Sequence, residues 1–332
     1  MKIWAMDPED SEQLQELVTR LAADAIRRAP RTLGRISRRR HGFQSRLRRH
    51  WGRSLDLYEL TLHRARELGA ELSRTADPAE CDALTYVLTS IHARACRVAD
   101  EVHCLLTVGH GQGALKSARV LYELAVVSMA LSEYGRQPGH EDLVDRYLAH
   151  ADVIQFKAMK VYQEHAPDLG QEPFSPEEVE AAEHASETAK AQYGKVIGQQ
   201  FGWAANLPGA PGKTTEGLAA VVGIAHLHPY FDWASAESHG GAHGVSLNTV
   251  DTRRGAMLMA GPSVDGLVTP ASLSLICLHH CTLSLVVHGQ AEPDLAALVM
   301  LQVVDKLRAR TDAALKAAHE KGPQLPLVGS RV

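Results

Sequence analysis

The stretch Gly113–Ser132, GALKSARVLYELAVVSMALS, is a largely apolar run that admits two opposite charges, Arg119 and Glu123, one helical turn apart. On a helical wheel Gln112, Lys116, Arg119 and Glu123 form one stripe, but the next positions along it are Val126, Val127 and Ala130. The polar face therefore closes midway, and Arg119 and Glu123 fall where the helix passes from solvent into a core. Charges at such a boundary must pair or hydrogen-bond to offset lost hydration. They are either a partly buried pair fixing the register of a helical bundle or the charged part of a polar site inside it.

Helical signals recur on both sides of this stretch. Residues 9–28 are amphipathic and end at Pro30. A longer helix is predicted from about 43 to 72, with Leu47, Leu55, Tyr58, Leu62 and Leu68 near helical spacing. Asp77-Pro78 opens a helix to about Thr107 that carries Leu84, Val87, Leu88, Ile91, Ala95, Val98 and Val102 on one face. The run GHGQG at 109–113 breaks the chain before the helix 114–134, and a further helix covers 140–165. In Ser175-Pro176-Glu177-Glu178, Ser caps, Pro fits the first helical position and Glu178 completes a capping box, so a helix should run to about 200. Thr214 begins one to about 227, and another covers 229–239. Residues 240–268 are Gly-rich and irregular; Thr269-Pro270 and Glu292-Pro293 then open the last two helices, the second ending near about 319.

No segment shows sustained alternation with β-branched enrichment, so the chain is read as all-α, a multi-helix bundle of about nine to ten helices with no sheet. The expected organisation is an N-terminal helical region over 1–75, a helical bundle domain over 76–320 and a flexible tail over 321–332. At 332 residues, with 45% apolar side chains, the chain can bury a sizeable core. Ala271 to Val287 is the most apolar stretch, but Ser272, Ser274, His279, His280, Thr282 and Ser284 interrupt it, so it reads as a buried core helix rather than a membrane span. The five cysteines, Cys81, Cys96, Cys104, Cys277 and Cys281, are odd in number and include no CxxC pair. With no secretory signal at the acidic N-terminus, they fit a cytoplasmic protein.

Charge is uneven along the chain. Eleven Arg (27, 28, 31, 35, 38, 39, 40, 46, 48, 49 and 53) stand between 27 and 53 with no Asp or Glu, although the net charge is -4. Such a segment is an arm for RNA or another anionic partner, with Arg38, Arg39, Arg40, Arg46, Arg48 and Arg49 at its centre, or a basic helix docked on the protein's own acidic body. Phosphate contacts need many guanidinium groups and little sequence information, and Phe43 and Trp51 would add stacking on unpaired bases.

A second notable segment, YFDWASAESHGGAHG at 230–244, carries Ser235, Ser238 and His239 on the last turn of a helix, with Tyr230, Phe231 and Trp233 on its other face. Gly240 is expected to end that helix, with His239 favoured there by the helix dipole. A His is also the usual general base near neutral pH.

Other motif matches carry less. GAPGKTT at 209–215 resembles a phosphate loop, but the first glycine of that pattern falls on Leu207. GHGQG joins two helices, which is wrong for a dinucleotide fold, though a helix N-terminus there could meet an anion. His226, His228, His239 and His243 lie close together in sequence and could serve a metal-dependent hydrolase. With no HExxH and few nearby carboxylates, neither metal nor cofactor is expected.

At these two segments the chain resembles a known family. A helix carrying R-x-x-x-E (Arg119, Glu123), followed by an aromatic-rich helix ending S-x-x-x-H-G (Ser235, His239, Gly240), is similar to the bacterial domain-of-unknown-function family 5677, over about residues 80–290. The Arg-rich segment lies outside it. That family has no settled activity, and its members resemble the HEPN superfamily, which includes metal-independent ribonucleases of toxin and phage-defence systems. HEPN nucleases carry an Arg before the His on one helix, and Ser235 stands where that Arg would be.

Two functions of different class follow. In the first, preferred because no specific catalytic signature is present, the bundle is a nucleic-acid or partner-binding module of a bacterial stress or defence system. In the second it is a HEPN-like ribonuclease in which His239 is the base, Arg119 stabilises charge, Glu123 orients Arg119 and Ser235 lines the site. Long apolar helices also make a homodimer an expectation, and no membrane partner is expected.

Overall fold

The computed structural model describes residues 8–75, 82–209, 214–246, 249–252, 255–288 and 294–321. Eleven α-helices occupy most of these residues: α1 (Pro8–Arg27), α2 (Ala29–Thr75), α3 (Ala83–Thr107), α4 (Gly111–Tyr134), α5 (Leu143–His165), α6 (Pro176–Tyr193), α7 (Thr215–Val221), α8 (His228–Ser238), α9 (Ala242–Ser246), α10 (Val268–His288) and α11 (Leu295–Lys321). The all-α class holds. A short antiparallel hairpin, β1 (Thr249–Thr252) with β2 (Gly255–Leu258), lies in the Gly-rich stretch read as irregular, so the expectation of no sheet is corrected by this one ladder.

The helix–helix contacts place α10 at the centre, against α4, α3, α11 and α2. This explains its composition. Buried Leu273, Leu275, Leu278 and Leu285 face neighbours on several sides, while Ser274, Thr282 and Ser284 satisfy their hydroxyls on helix carbonyls or on facing helices. The helix is long and apolar enough to cross a membrane, but its burial among four helices makes it the core element the sequence suggested. Tyr58 of α2 donates to the Ala99 carbonyl on α3 and meets Ser274 Oγ at 2.8 Å, so one hydroxyl ties three helices. One hydrophobic core runs from Phe43 to Leu315, so α2 belongs to the bundle rather than to a separate N-terminal unit.

Local signals set most helix starts. Ser175 and Glu178 form the predicted reciprocal cap, and Thr214 and Asp82 accept from Gly217 N and Thr85 N. Asp77-Pro78 and Glu292-Pro293 lie outside the described residues. Two helices are shorter than expected: α6 stops at Tyr193 before Gly194, whose φ is 78°, and α7 stops at Val221 before Gly223, whose φ is 75°. One is longer. The predicted 43–72 helix extends back to Ala29, because Pro30 occupies its first turn, where a missing N–H costs nothing.

The GHGQG loop is a packing device. At Gly109, with φ 81°, a Cβ would lie 2.6 Å from the Phe43 ring and 2.8 Å from the Ser263 carbonyl. At Gly111 a Cβ would lie 2.7 Å from the Gly266 carbonyl, so carbonyl oxygens rather than an anion crowd the start of α4.

Candidate functional site

Helix α4 presents Arg119, Tyr122 and Glu123 toward the seam with α8. The Arg119 guanidinium stands over the Phe231 ring, 4.7 Å from its centroid, and its Nη2 reaches Glu123 Oε1 at 3.4 Å. Both side chains keep about a third of their surface in solvent, 29% and 32%. Arg119 Nε is buried without a hydrogen-bond partner among the described residues. Burial pushes the Glu123 carboxyl above the usual carboxylate range, an effect that Arg119 and then Arg94 oppose. A cation–π contact at such exposure contributes about 0.5–1 kcal/mol and the long ion pair no more, which suits a pair pinning α4 to α8.

On α8, the residues expected to do chemistry are arranged differently. Ser235 Oγ donates to the Phe231 carbonyl and Ser238 Oγ to the Ala234 carbonyl, each at 2.8 Å, so both protons are spent on the helix's own backbone. His239 is exposed at the C-cap, with extended φ and ψ of -111° and 145°. Gly240 has no positive φ, so the expected glycine termination does not form. Instead α9 folds back: a Cβ on Gly244 would lie 2.2 Å from the Ala236 carbonyl. Phe231, the residue Arg119 meets, precedes His239 by eight positions, about 12 Å along the helix. Arg119, Glu123 and Phe231 therefore come together, while His239 stands at the far end.

The histidine inside the seam is His228. Its ring stacks on Phe231 at 5.2 Å, lies 6.1 Å from the Tyr122 ring, and its Nε2 is 3.4 Å from Asp232 Oδ1. Its Nδ1 and the Tyr122 hydroxyl are both buried with no hydrogen-bond partner among the described residues. Burial raises the Tyr122 pKa, and Cys277, Glu216 and Asp232 push it further. Tyr122 was missed because it falls among apolar neighbours, and His228 was considered only as a metal ligand with His226, His239 and His243. The available signal was that Arg119 and Tyr122 share a face of α4, as His228, Phe231, Asp232 and Ser235 share one of α8.

The remaining histidines of the cluster are scattered: His226, His239 and His243 are exposed. His279 and His280 are half-buried beside Asp305 and Arg308, and burial first, then neighbouring His279, Arg308 and His226, lowers the His280 pKa to about 4. Among the described residues no three His, Cys, Asp or Glu side chains converge to hold a metal ion.

The Arg-rich segment lies at the joint of α1 and α2 and along the first half of α2. All eleven guanidinium-bearing residues are exposed, and no residue of α2 before Phe43 is buried. The segment is therefore not docked on the acidic body: ion pairs engage only Arg27 and Arg28, both with Asp24, and Arg48 with Asp56 among the described residues. Phe43 and Trp51 are 5% and 3% exposed, so the expected stacking on bases is unavailable; both anchor the helix to the core.

Fold and seam together define a helical-bundle protein with a partly buried Arg–Glu–aromatic contact at its family-like core and a basic helix outside it. The model of a family of unknown function, DUF5677, matches residues 85–256, just over half of the chain, and the chain belongs to that family. The match includes Arg119, Glu123, Ser235 and His239 and stops short of the Arg-rich segment. No curated protein and no solved structure matches the chain.

Proposed function

We propose that this protein binds nucleic acid through the exposed first half of α2, with the family-matched bundle as its folded body. One observation carries this: nine Arg residues, none docked on the body, stand exposed on a helix anchored further along by Phe43, Leu47 and Trp51, with Arg27 and Arg28 at its joint to α1. Arg is a good helix former and binds phosphate with a planar fork, so the segment is rigid as well as charged. Most of the chain's 39 Asp and Glu residues lie outside the arm, yet its basic face stays off them, which suits a surface that serves another polyanion.

The test is binding of labelled nucleic acid at rising salt. Neutralising Arg38, Arg39, Arg46 and Arg49 with Gln should weaken binding, and affinity should fall steeply as salt rises. Affinity indifferent to salt or to these substitutions would reject the proposal.

Ribonuclease action by Arg119 and His239 is supported less, because Arg119 meets Phe231, about two helical turns before His239. Its test is His239→Ala, which should abolish cleavage in a protein that still folds; unchanged cleavage would remove His239 from the chemistry. We also propose a role in a bacterial defence system and homodimer formation, the latter supported by exposed Leu17, Val18 and Leu21 on α1.

A further inference from the structure

The arginines of α2 are not scattered around the helix. At about 100° per residue, Arg31, Arg35, Arg38, Arg39, Arg46, Arg49 and Arg53 fall within one sector of roughly 100°, Arg40 and Arg48 lie outside it, and the core-facing Leu47, Trp51 and Tyr58 lie roughly opposite, with Phe43 at the flank. The stripe extends over about 33 Å at 1.5 Å per residue, close to one turn of a double helix. The arginines that make ion pairs, Arg27, Arg28 and Arg48, are all outside it. Those of the stripe make none among the described residues.

Gly42 sits within the stripe, between Arg38 and Arg46. A glycine inside a helix costs about 0.5–1 kcal/mol relative to Ala. Nothing in the fold requires it there, since a Cβ at Gly42 would meet nothing nearer than Arg46 Nη1 at 3.5 Å. On the charged face, its absent side chain lets the backbone approach a ligand closely.

We propose that the polyanion is double-stranded DNA: the free part of α2, residues 29–42, enters the major groove, and Arg46, Arg49 and Arg53 meet flanking phosphates. This rests on the nucleic-acid function proposed above. Single strands are held by aromatic platforms, and the three aromatic rings of α2, on Phe43, Trp51 and Tyr58, are all buried. The major groove of duplex RNA is too deep and narrow for a helix, whereas that of DNA admits one. The stripe holds no Asn or Gln, the side chains that pair with adenine, so its arginines serve phosphates and, within the groove, guanine edges.

The experiment measures fluorescence anisotropy of the full chain with labelled duplex DNA of about 20 bp, its separate strands and duplex RNA of the same sequence, with phosphatidylserine–phosphatidylcholine vesicles as a fourth probe. Duplex DNA should bind at least about tenfold tighter than the other probes, with a logarithmic salt slope of about -4 to -6. Arg31→Gln with Arg38→Gln and Arg49→Gln should reduce that slope by about 3, and Gly42→Leu should weaken binding without changing it. Circular dichroism melts check that both variants fold. Single strands or duplex RNA binding as tightly as duplex DNA would overturn the duplex assignment and leave the nucleic-acid function standing. Binding to vesicles alone, or to no probe, would overturn both.

Discussion

The first half of α2 and the α4–α8 seam both contain arginine on a helix, yet they use it in opposite ways. Arg119 is half-buried, caps a Phe ring and shares a carboxylate, so its charge is spent inside the protein. Arg38, Arg46 and Arg49 are exposed and make no ion pair among the described residues, so theirs is available outside. A charge that is spent internally fixes packing, and a free one recruits a partner. The family match covers the first and omits the second, so the recruitment proposed for the arm lies outside the matched segment.

Truncating the bundle should separate the two regions most strongly. Leu121→Ala, at a fully buried position of α4, should cost about 2–5 kcal/mol in chemical denaturation, whereas Leu33→Ala on the exposed arm should change stability by less than about 0.5 kcal/mol. Comparable losses would mean that the arm packs on something in solution.

Next in size is a pH effect confined to the bundle. Burial lowers the His92 pKa to about 4 in the folded protein, against an ordinary value of 6.5. Between those values only the unfolded chain takes up the proton, so stability is full above about pH 6.5 and falls toward pH 4. From pH 6.5 to 5 the loss due to His92 should be about 2 kcal/mol, His280, whose pKa burial also lowers to about 4, should add a similar loss, and His92→Leu should remove about half of the slope. DNA affinity over that range should vary little, because arginine does not titrate there. A binding curve that followed stability would break the separation between arm and body.

Smaller effects sharpen the seam itself. Arg119→Ala should cost about 1–2 kcal/mol in thermal melts, since it removes the ring contact and leaves Glu123 half-buried, whereas Arg46→Ala should cost nothing measurable. Tyr122→Phe removes a buried hydroxyl that meets no partner, so stability should stay within about 0.5 kcal/mol of the parent. A loss above about 1 kcal/mol would show that a water or ligand bonds this hydroxyl and His228, making the seam a binding site.

Much of the fold was legible because its signals are local. The caps at Ser175 and Thr214 and the boundary position of Arg119 and Glu123 were each readable within a turn or two, and each is realised. The start of α2 was misplaced because Pro30 read as a helix terminator, although it falls in the first turn, where a helix tolerates it. The candidate site was legible on one side. Arg119 was found, but its partner was expected at His239 when it is Phe231, with His228 beside it.

By itself, then, the sequence determined the helices, their caps and the run of uncompensated arginine, since spacing of three or four residues and local composition encode these directly. Only tertiary structure decided which aromatic meets Arg119, that Phe43 and Trp51 are anchors rather than stacking platforms, and that the basic face stays clear of the acidic body. Those outcomes depend on which distant helices pack together, and packing pairs side chains separated by a hundred residues or more, beyond what periodicity along the chain records.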